Sequence, residues 1–123
     1  MNHVIIDTSS ILFGFQNKKN LFDIVKYKLN ANSIVSSGII KELEKKALSN
    51  GNKGAYAKIA LKAMSNANIT VKQSRSNVDS WIYMSAIKNH ISVVTNDTAL
   101  SKKLLSHGIS VYKLSRNGML RKL

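Results

Sequence analysis

Four of the six acidic residues in this chain of 123 residues have types and positions that could do chemistry together. Asp7 ends the apolar run "HVIID", and Asp97 comes just after the apolar run "ISVVT". Asp79 falls in the first turn of a predicted helix, and Glu42 and Glu44 both border the apolar stripe of another. Clustered carboxylates repel one another, and a divalent cation offsets that repulsion. Oxygen ligands suit Mg²⁺ or Mn²⁺, and two such ions can activate a water and stabilise the leaving oxygen of a phosphodiester.

Each of these acids also has a purely structural interpretation. Asp79 could complement the dipole of its helix, worth about 0.3–1 kcal/mol, and Asp97 could cap the helix that follows it, worth about 1 kcal/mol. Asp23 is best interpreted as a solvated or dipole-complementing residue. Helical periodicity does not choose between Glu42 and Glu44. Capping alone does not explain why a chain with so few acids places them where separate strands end and helices begin.

Short apolar strands that alternate with amphipathic helices must position these acids. The runs typical of strands are "HVIID", "SIVS", "NITVK", "ISVVT" and "ISVYKL". The alternation predicts an α/β fold with a parallel sheet covered on both faces and right-handed crossovers. Because such sheets bind ligands at the carboxyl ends of their strands, Asp7 and Asp97 should share one edge, which the helix of Asp79 also approaches. The basic tail "SRNGMLRKL" is either an edge extension or loose.

The composition predicts one basic domain, residues 1–123. Apolar residues make up 44%, and the absence of cysteine excludes disulfides and thiolate metal sites. No apolar run approaches the roughly 20 residues that cross a bilayer, so no membrane contact is expected and a cytoplasmic protein is the default. The net charge of +13 is spread along the chain and favours nucleic acid, held by its phosphates, as partner. A solvated lysine-rich surface is the alternative.

Four segments, in this order, resemble the PIN domain (PilT N-terminus) family of nucleases. They are "VIIDTSSIL", "SIVSSGIIKELEKKA", "VDSWIYMSAI" and "SVVTNDTALSKKLLSHGISVYKL", and they cover nearly the whole chain. The resemblance implies a three-layer α/β/α sandwich with a central parallel sheet of four to five strands. It also implies an acidic site that binds Mg²⁺ or Mn²⁺ to hydrolyse RNA.

The resemblance assigns roles residue by residue and favours Glu42 over Glu44. The acids to which it gives both metal binding and catalysis are Asp7, Glu42, Asp79 and Asp97. The polar residues that would support them are Ser9, Thr95 and Asn96. The implied activity is that of a metal-dependent endoribonuclease, a hydrolase that leaves 5′-phosphate and 3′-hydroxyl ends.

Two biological roles follow from the same resemblance. Toxin ribonucleases of the VapC type would be partnered by an antitoxin protein. The stretches "LFGFQNKKNLFDIV" and "KGAYAKIALKAM" are similar to small archaeal PIN proteins related to those of ribosomal RNA processing, whose substrate would be a ribosomal precursor. PIN domains often form homodimers, which repulsion at +13 opposes.

Two rival interpretations belong to other classes. A non-catalytic RNA-binding scaffold of ribosome assembly could keep the acids, and it predicts RNA binding that depends on salt but not on metal. A receiver-like phospho-acceptor domain is also lined by acids, but it expects a pair of acids next to the first strand. Here "VIID" supplies only one acid, which ranks this interpretation lowest.

Overall fold

The apolar runs form strands in a computed structural model that describes residues 2–123. The strands are β1 (Asn2–Ile6), β2 (Ala31–Ser36), β3 (Thr70–Lys72), β4 (Ser92–Val94), β5 (Val111–Leu114) and β6 (Leu120–Lys122). The helices are α1 (Thr8–Gln16), α2 (Leu21–Leu29), α3 (Ser37–Ala47), α4 (Asn52–Asn66), α5 (Val78–Asn89) and α6 (Thr98–Leu105). None of the helices within residues 2–123 is long and apolar enough to cross a membrane.

One sheet contains all six strands found within residues 2–123, in the order β3-β2-β1-β4-β5-β6. Strands β1 to β5 are parallel to their neighbours, and β6 pairs with β5 in the antiparallel direction. The predicted fold class, an α/β/α sandwich around a parallel sheet, is confirmed. The basic tail is the edge extension: it returns along β5 as one antiparallel strand beyond the five parallel ones.

The strand order reverses at β1, which has β2 on one side and β4 on the other. Helices α1 to α4 pack among themselves, and α5 packs against α6. The connections from β1 to β2 and β3 run to one side of β1, and the connection from β4 to β5 runs to the other. Because each crossover is right-handed, the two groups of helices lie on opposite faces of the sheet. Ligands of such folds bind outside the carboxyl ends of the strands where the order reverses, which here is the end of β1 and β4.

The core lies between the sheet and its two helical layers. Ile5, Ile6, Val35, Val93 and Val94 are all fully buried. Buried runs of β-branched residues are typical of parallel strands covered on both faces, because neither side of the strand meets water. The central strands therefore form a rigid base from which polar side chains at their carboxyl ends project.

Candidate active site

Asp7 stands where β1 passes into α1, and its carboxylate is held by two hydroxyl groups. Its backbone N–H donates to the Val94 carbonyl over 3.0 Å, which joins the ends of β1 and β4. Asp7 is the N-cap residue of α1, yet its side chain accepts no capping hydrogen bond. Instead Oδ2 accepts from Ser9 Oγ at 2.9 Å and from Thr95 Oγ1 at 2.7 Å. The side chain is thus positioned for something other than capping.

The electrostatic environment of Asp7 is unfavourable for its charge. Burial raises the pKa of this carboxyl above the ordinary value of 3.8, because the charged form loses water. The hydrogen bonds from Thr95 and Ser9 lower the pKa, and the nearby charge of Asp79 raises it again. The net effect is a raised pKa, chiefly because the effect of burial exceeds that of the hydrogen bonds.

Thr95 connects the first acid to the last. It is fully buried, donates to Asp7, and accepts the backbone N–H of Asp97 at 3.1 Å through the same Oγ1. Asp97 Oδ1 accepts from the Leu100 N–H at 2.9 Å and caps α6. The capping interpretation of Asp97 therefore holds for one carboxylate oxygen.

Asn96 fixes the end of β5 against the site. Its Oδ1 accepts from the Leu114 N–H at 3.1 Å and its Nδ2 donates to the Leu114 carbonyl at 3.1 Å. The same Oδ1 accepts from Ser10 Oγ at 3.1 Å, and the Asn96 N–H donates to Ser9 Oγ at 3.4 Å. The side-chain amide thus extends the β4–β5 pairing and ties it to the start of α1.

Asp79 lies in the first turn of α5 and is exposed. The cap of this helix is Asn77, whose Oδ1 accepts from the Ser80 N–H at 2.8 Å. Asp79 is therefore not needed as a cap, and its charge acts on Asp7. The neighbouring Val78 Cγ2 lies 3.5 Å from the point that a Cβ on Gly38 would occupy, so the first turns of α3 and α5 meet.

The two glutamates of α3 differ in exposure. Glu42 is half-buried, whereas Glu44 is exposed, which agrees with the preference for Glu42. Within residues 2–123 no hydrogen bond joins Glu42 to Asp7, Asp79 or Asp97. Thr95 joins Asp7 to Asp97, the charge of Asp79 acts on Asp7, and Glu42 lies on α3, whose first turn meets that of α5. Asp23 is exposed in the first turn of α2, as a solvated acid should be.

The donor set fits a hard divalent cation whose shell is completed by other ligands. Across the described residues no three His, Cys, Asp or Glu side chains form a ready-made metal cage. Mg²⁺ does not require one, since it is commonly bound by one or two carboxylates together with waters and substrate phosphates. Asp7 and Asp79 offer such a pair, and a cation there would favour the charged form of Asp7, which burial and, to a lesser degree, the charge of Asp79 disfavour.

Sequence reasoning missed several polar residues around these acids. Thr8 Oγ1 is buried beside Asp7 without a hydrogen-bond partner among the described residues. Ser10 is fully buried and binds Asn96. Ser37 Oγ accepts from the Ser74 N–H at 3.0 Å and so anchors the segment before α5. The only signal was the polar run "TSS" next to an apolar helix pattern, which favours a cap as much as a site.

The fold and the site are those of a known class of protein. The chain belongs to the PIN-like domain family, whose sequence model matches residues 4–117. The predicted family is thereby confirmed. Among solved structures it is similar to the PIN domain endonuclease Utp24, with 25% identity, a TM-score of 0.80, and coverage of 98% of this chain and 92% of that one.

Two archaeal structures share the fold at lower identity. A domain of a functionally unknown protein from Methanocaldococcus jannaschii is 19% identical with a TM-score of 0.67, over 94% of this chain and 92% of that one. A PilT N-terminus domain protein from Sulfolobus solfataricus is 11% identical with a TM-score of 0.57, over 90% and 86%. No curated protein matches the chain.

Proposed function

We propose that this protein is a metal-dependent endoribonuclease whose site consists of Asp7, Glu42, Asp79 and Asp97. The observation that carries the proposal is Asp7: a buried carboxylate, held by two hydroxyls, whose charge is opposed by Asp79. A group in this environment stabilises the protein poorly and gains most from a cation. A carboxyl of raised pKa in a crevice at the strand ends is typical of a functional site.

The chain's own residues bind and orient in this proposal. Ser9 and Thr95 hold Oδ2 of Asp7, and within residues 2–123 no other side chain donates a hydrogen bond to this carboxylate. Thr95 also fixes the backbone of Asp97, so the two acids keep one relative position. A bound Mg²⁺ or Mn²⁺ would supply Lewis acidity toward water and the scissile phosphate.

The substrate class follows from charge and from the likeness to an endonuclease. None of the lysines and arginines within residues 2–123 forms an ion pair with a carboxylate, so their charges are available to phosphates. RNA is the proposed substrate. A toxin with an antitoxin protein and a processor of a ribosomal precursor both fit this activity, and the neighbouring open reading frame distinguishes them. A homodimer would need a locally apolar interface or RNA that screens the charge.

Cleavage of RNA by the wild type and by Asp7→Asn and Asp97→Asn, with Mg²⁺ or Mn²⁺ and then with EDTA, tests the proposal. We expect cleavage by the wild type alone and its loss in EDTA. Full activity of both variants, or cleavage that survives EDTA, would exclude the metal mechanism. RNA binding that is insensitive to metal, without product at any metal concentration, would identify the scaffold instead.

A further inference from the structure

A groove of about 520 Å³ lies between α1 and the hairpin of β5 and β6, beside the candidate active site. Its apolar side chains include Phe13, Met119 and Leu120. Its cations are Lys113, Arg116 and Arg121. None of the described residues that line it is acidic. Leu114 faces α1, so Lys113 and Arg121 begin on the other face of the hairpin and line the groove from its outer edge. An aromatic ring beside positive charge is the combination that binds single-stranded nucleic acid.

The cations of this groove repel one another in the free protein. Lys113 and Arg121 stand directly opposite in the antiparallel register of β5 and β6, and like charges at such positions are unfavourable. Both side chains and that of Arg116 are exposed, and none has a carboxylate partner among the described residues. The stem of Lys19 lies against the hairpin turn, 3.2 Å from the point that a Cβ on Gly118 would occupy. A bound polyanion would relieve this repulsion.

The turn that closes the groove is held in place by Ser115. Its N–H donates to the Met119 carbonyl at 2.9 Å, and its Oγ accepts from the Met119 N–H at 3.1 Å. Gly118 has a φ of +85°, which a residue with a side chain rarely adopts, and its N–H donates to the Ser115 carbonyl at 3.1 Å. Because these hydrogen bonds already order the backbone of the turn, binding a ligand costs no further loss of its conformational entropy. The affinity for the ligand is higher for that reason.

One side chain, that of Asn96, joins the groove to the candidate active site. Leu114 lines the groove, and both its backbone N–H and its carbonyl are hydrogen-bonded to the Asn96 side chain at 3.1 Å. Asn96 directly precedes Asp97. A strand lying in the groove would therefore reach the carboxylates without leaving the carboxyl edge of the sheet.

We propose that this groove binds the single-stranded RNA that flanks the cleavage position. Lys113 and Arg121 contact phosphates at the outer edge of the hairpin, Arg116 contacts one at its turn, and one unstacked base packs against the half-buried ring of Phe13. The identification of the polyanion as RNA rests on the proposed function. The groove supplies affinity and positioning, and it tolerates different bases because every base has a flat apolar face.

The test measures binding of a short fluorescent oligoadenylate by polarisation, in EDTA and over a range of salt concentrations. Arg116→Gln combined with Arg121→Gln is compared with Lys28→Gln combined with Lys88→Gln, which removes the same charge. Lys28 and Lys88 are exposed in the last turns of α2 and α5, helices that run toward the starts of β2 and β4 at the opposite edge. We expect the groove variant to bind about tenfold more weakly and the salt slope to fall by about 1.4, with less than about a twofold loss in the control. Equal losses in both variants would overturn the proposal.

A second arm separates base contacts from phosphate contacts. Phe13→Leu keeps an apolar side chain but removes the ring, so we expect about fivefold weaker binding of oligoadenylate and unchanged binding of an abasic strand of the same length. Equal losses with both strands, or competition by polyglutamate as strong as that by RNA, would reject a base-binding groove. Because all binding is measured without metal, loss of cleavage in Asp7→Asn tests the proposed function separately. A protein that binds RNA in this groove but never cleaves it would refute the function and leave the groove intact.

Discussion

The hydroxyl of Thr95 donates to Oδ2 of Asp7 over 2.7 Å and accepts the backbone N–H of Asp97 over 3.1 Å. One buried oxygen atom thus fixes two acids that are ninety positions apart in the chain. A hydroxyl can do both because it carries one proton to donate and lone pairs to accept. The relative position of Asp7 and Asp97 depends on this single side chain.

Replacing Thr95 with valine, which has nearly the same shape, should remove this link. We expect RNA cleavage and Mn²⁺ affinity to fall about 10- to 100-fold, as is common when the residue that orients a metal ligand is lost. The orphaned Asp97 N–H and the weakened Asp7 carboxylate should also cost about 1–3 kcal/mol of folding free energy. Kinetic assays and metal titration measure the first effect, and urea denaturation the second.

Thr95→Ser is the matched control, because serine keeps the hydroxyl and loses only a methyl group. It should retain cleavage within about threefold of the wild type. If the serine and valine variants lose activity equally, the hydroxyl is not what positions the acids.

Asp7 should make stability depend on pH in a defined direction. Its pKa is raised in the folded state, first by burial, so the folded protein holds a proton that the unfolded chain has already released. The free energy of unfolding should therefore fall as the pH rises from about 3.8, the ordinary value, through the higher folded pKa. Above the folded pKa the penalty is complete, and well below pH 3.8 it is absent.

Asp7→Asn does not titrate and should remove this dependence. We expect the stability of the variant relative to the wild type, measured by urea denaturation in EDTA, to increase as the pH is raised across that window. Mg²⁺ or Mn²⁺ should then stabilise the wild type but not the variant. A difference that stays constant with pH would show that Asp7 carries no burial penalty.

Glu42 and Glu44 form an internal pair for testing the fourth acid. Both lie on α3, but Glu42 is half-buried and Glu44 is exposed. We expect Glu42→Gln to lower the rate of RNA cleavage at least about tenfold, since a group that acts on the reacting centre typically contributes that much or more. Glu44→Gln should change the rate less than about twofold and leave stability within about 0.5 kcal/mol. A larger loss of cleavage in Glu44→Gln than in Glu42→Gln would identify Glu44 as the fourth acid of the site instead.

Asn96 should matter for the fold as well as the site. Asn96→Ala leaves the Leu114 N–H and carbonyl without their partner, and we expect a loss of about 1–3 kcal/mol in the free energy of unfolding. Faster hydrogen exchange of the Leu114 amide would locate the loss. Asn89→Ala is the control: its exposed side chain makes one hydrogen bond, to the Ser85 carbonyl, and its removal should cost less than about 0.5 kcal/mol.

Much of the fold could be predicted from local pattern, because buried parallel strands are apolar runs and helices repeat with a different period. The runs that contain Ile5 and Val93 are visible in this way. That β1 lies beside β4 is not visible, since pairing depends on the whole chain. The tail that forms β6 was predicted only as either an edge extension or a loose segment, because one leucine followed by two basic residues is too short to show alternation.

The candidate site was predictable only as a set of acids at strand ends. The bond between Asn96 and Leu114 depends on the β4–β5 register, in which Val94 lies opposite Tyr112. A shift of one residue would bring Lys113 there instead, which the apolar pattern disfavours, but that pattern does not show that β4 and β5 are neighbours. Helical periodicity did not choose between Glu42 and Glu44, because both residues border the same apolar stripe, and the preference for Glu42 came from the family resemblance alone.

The ends of the sheet have a consequence for how this protein behaves in a crowded solution. Both outer strands, β3 and β6, are three residues long, and each ends on a lysine that is exposed. An outer strand has unpaired backbone groups that can recruit a second chain, and short, charged strands resist such stacking. Arg121 and Lys122 therefore also discourage fibre-like association, and a variant stripped of them should aggregate more readily than one that loses lysines from the helices.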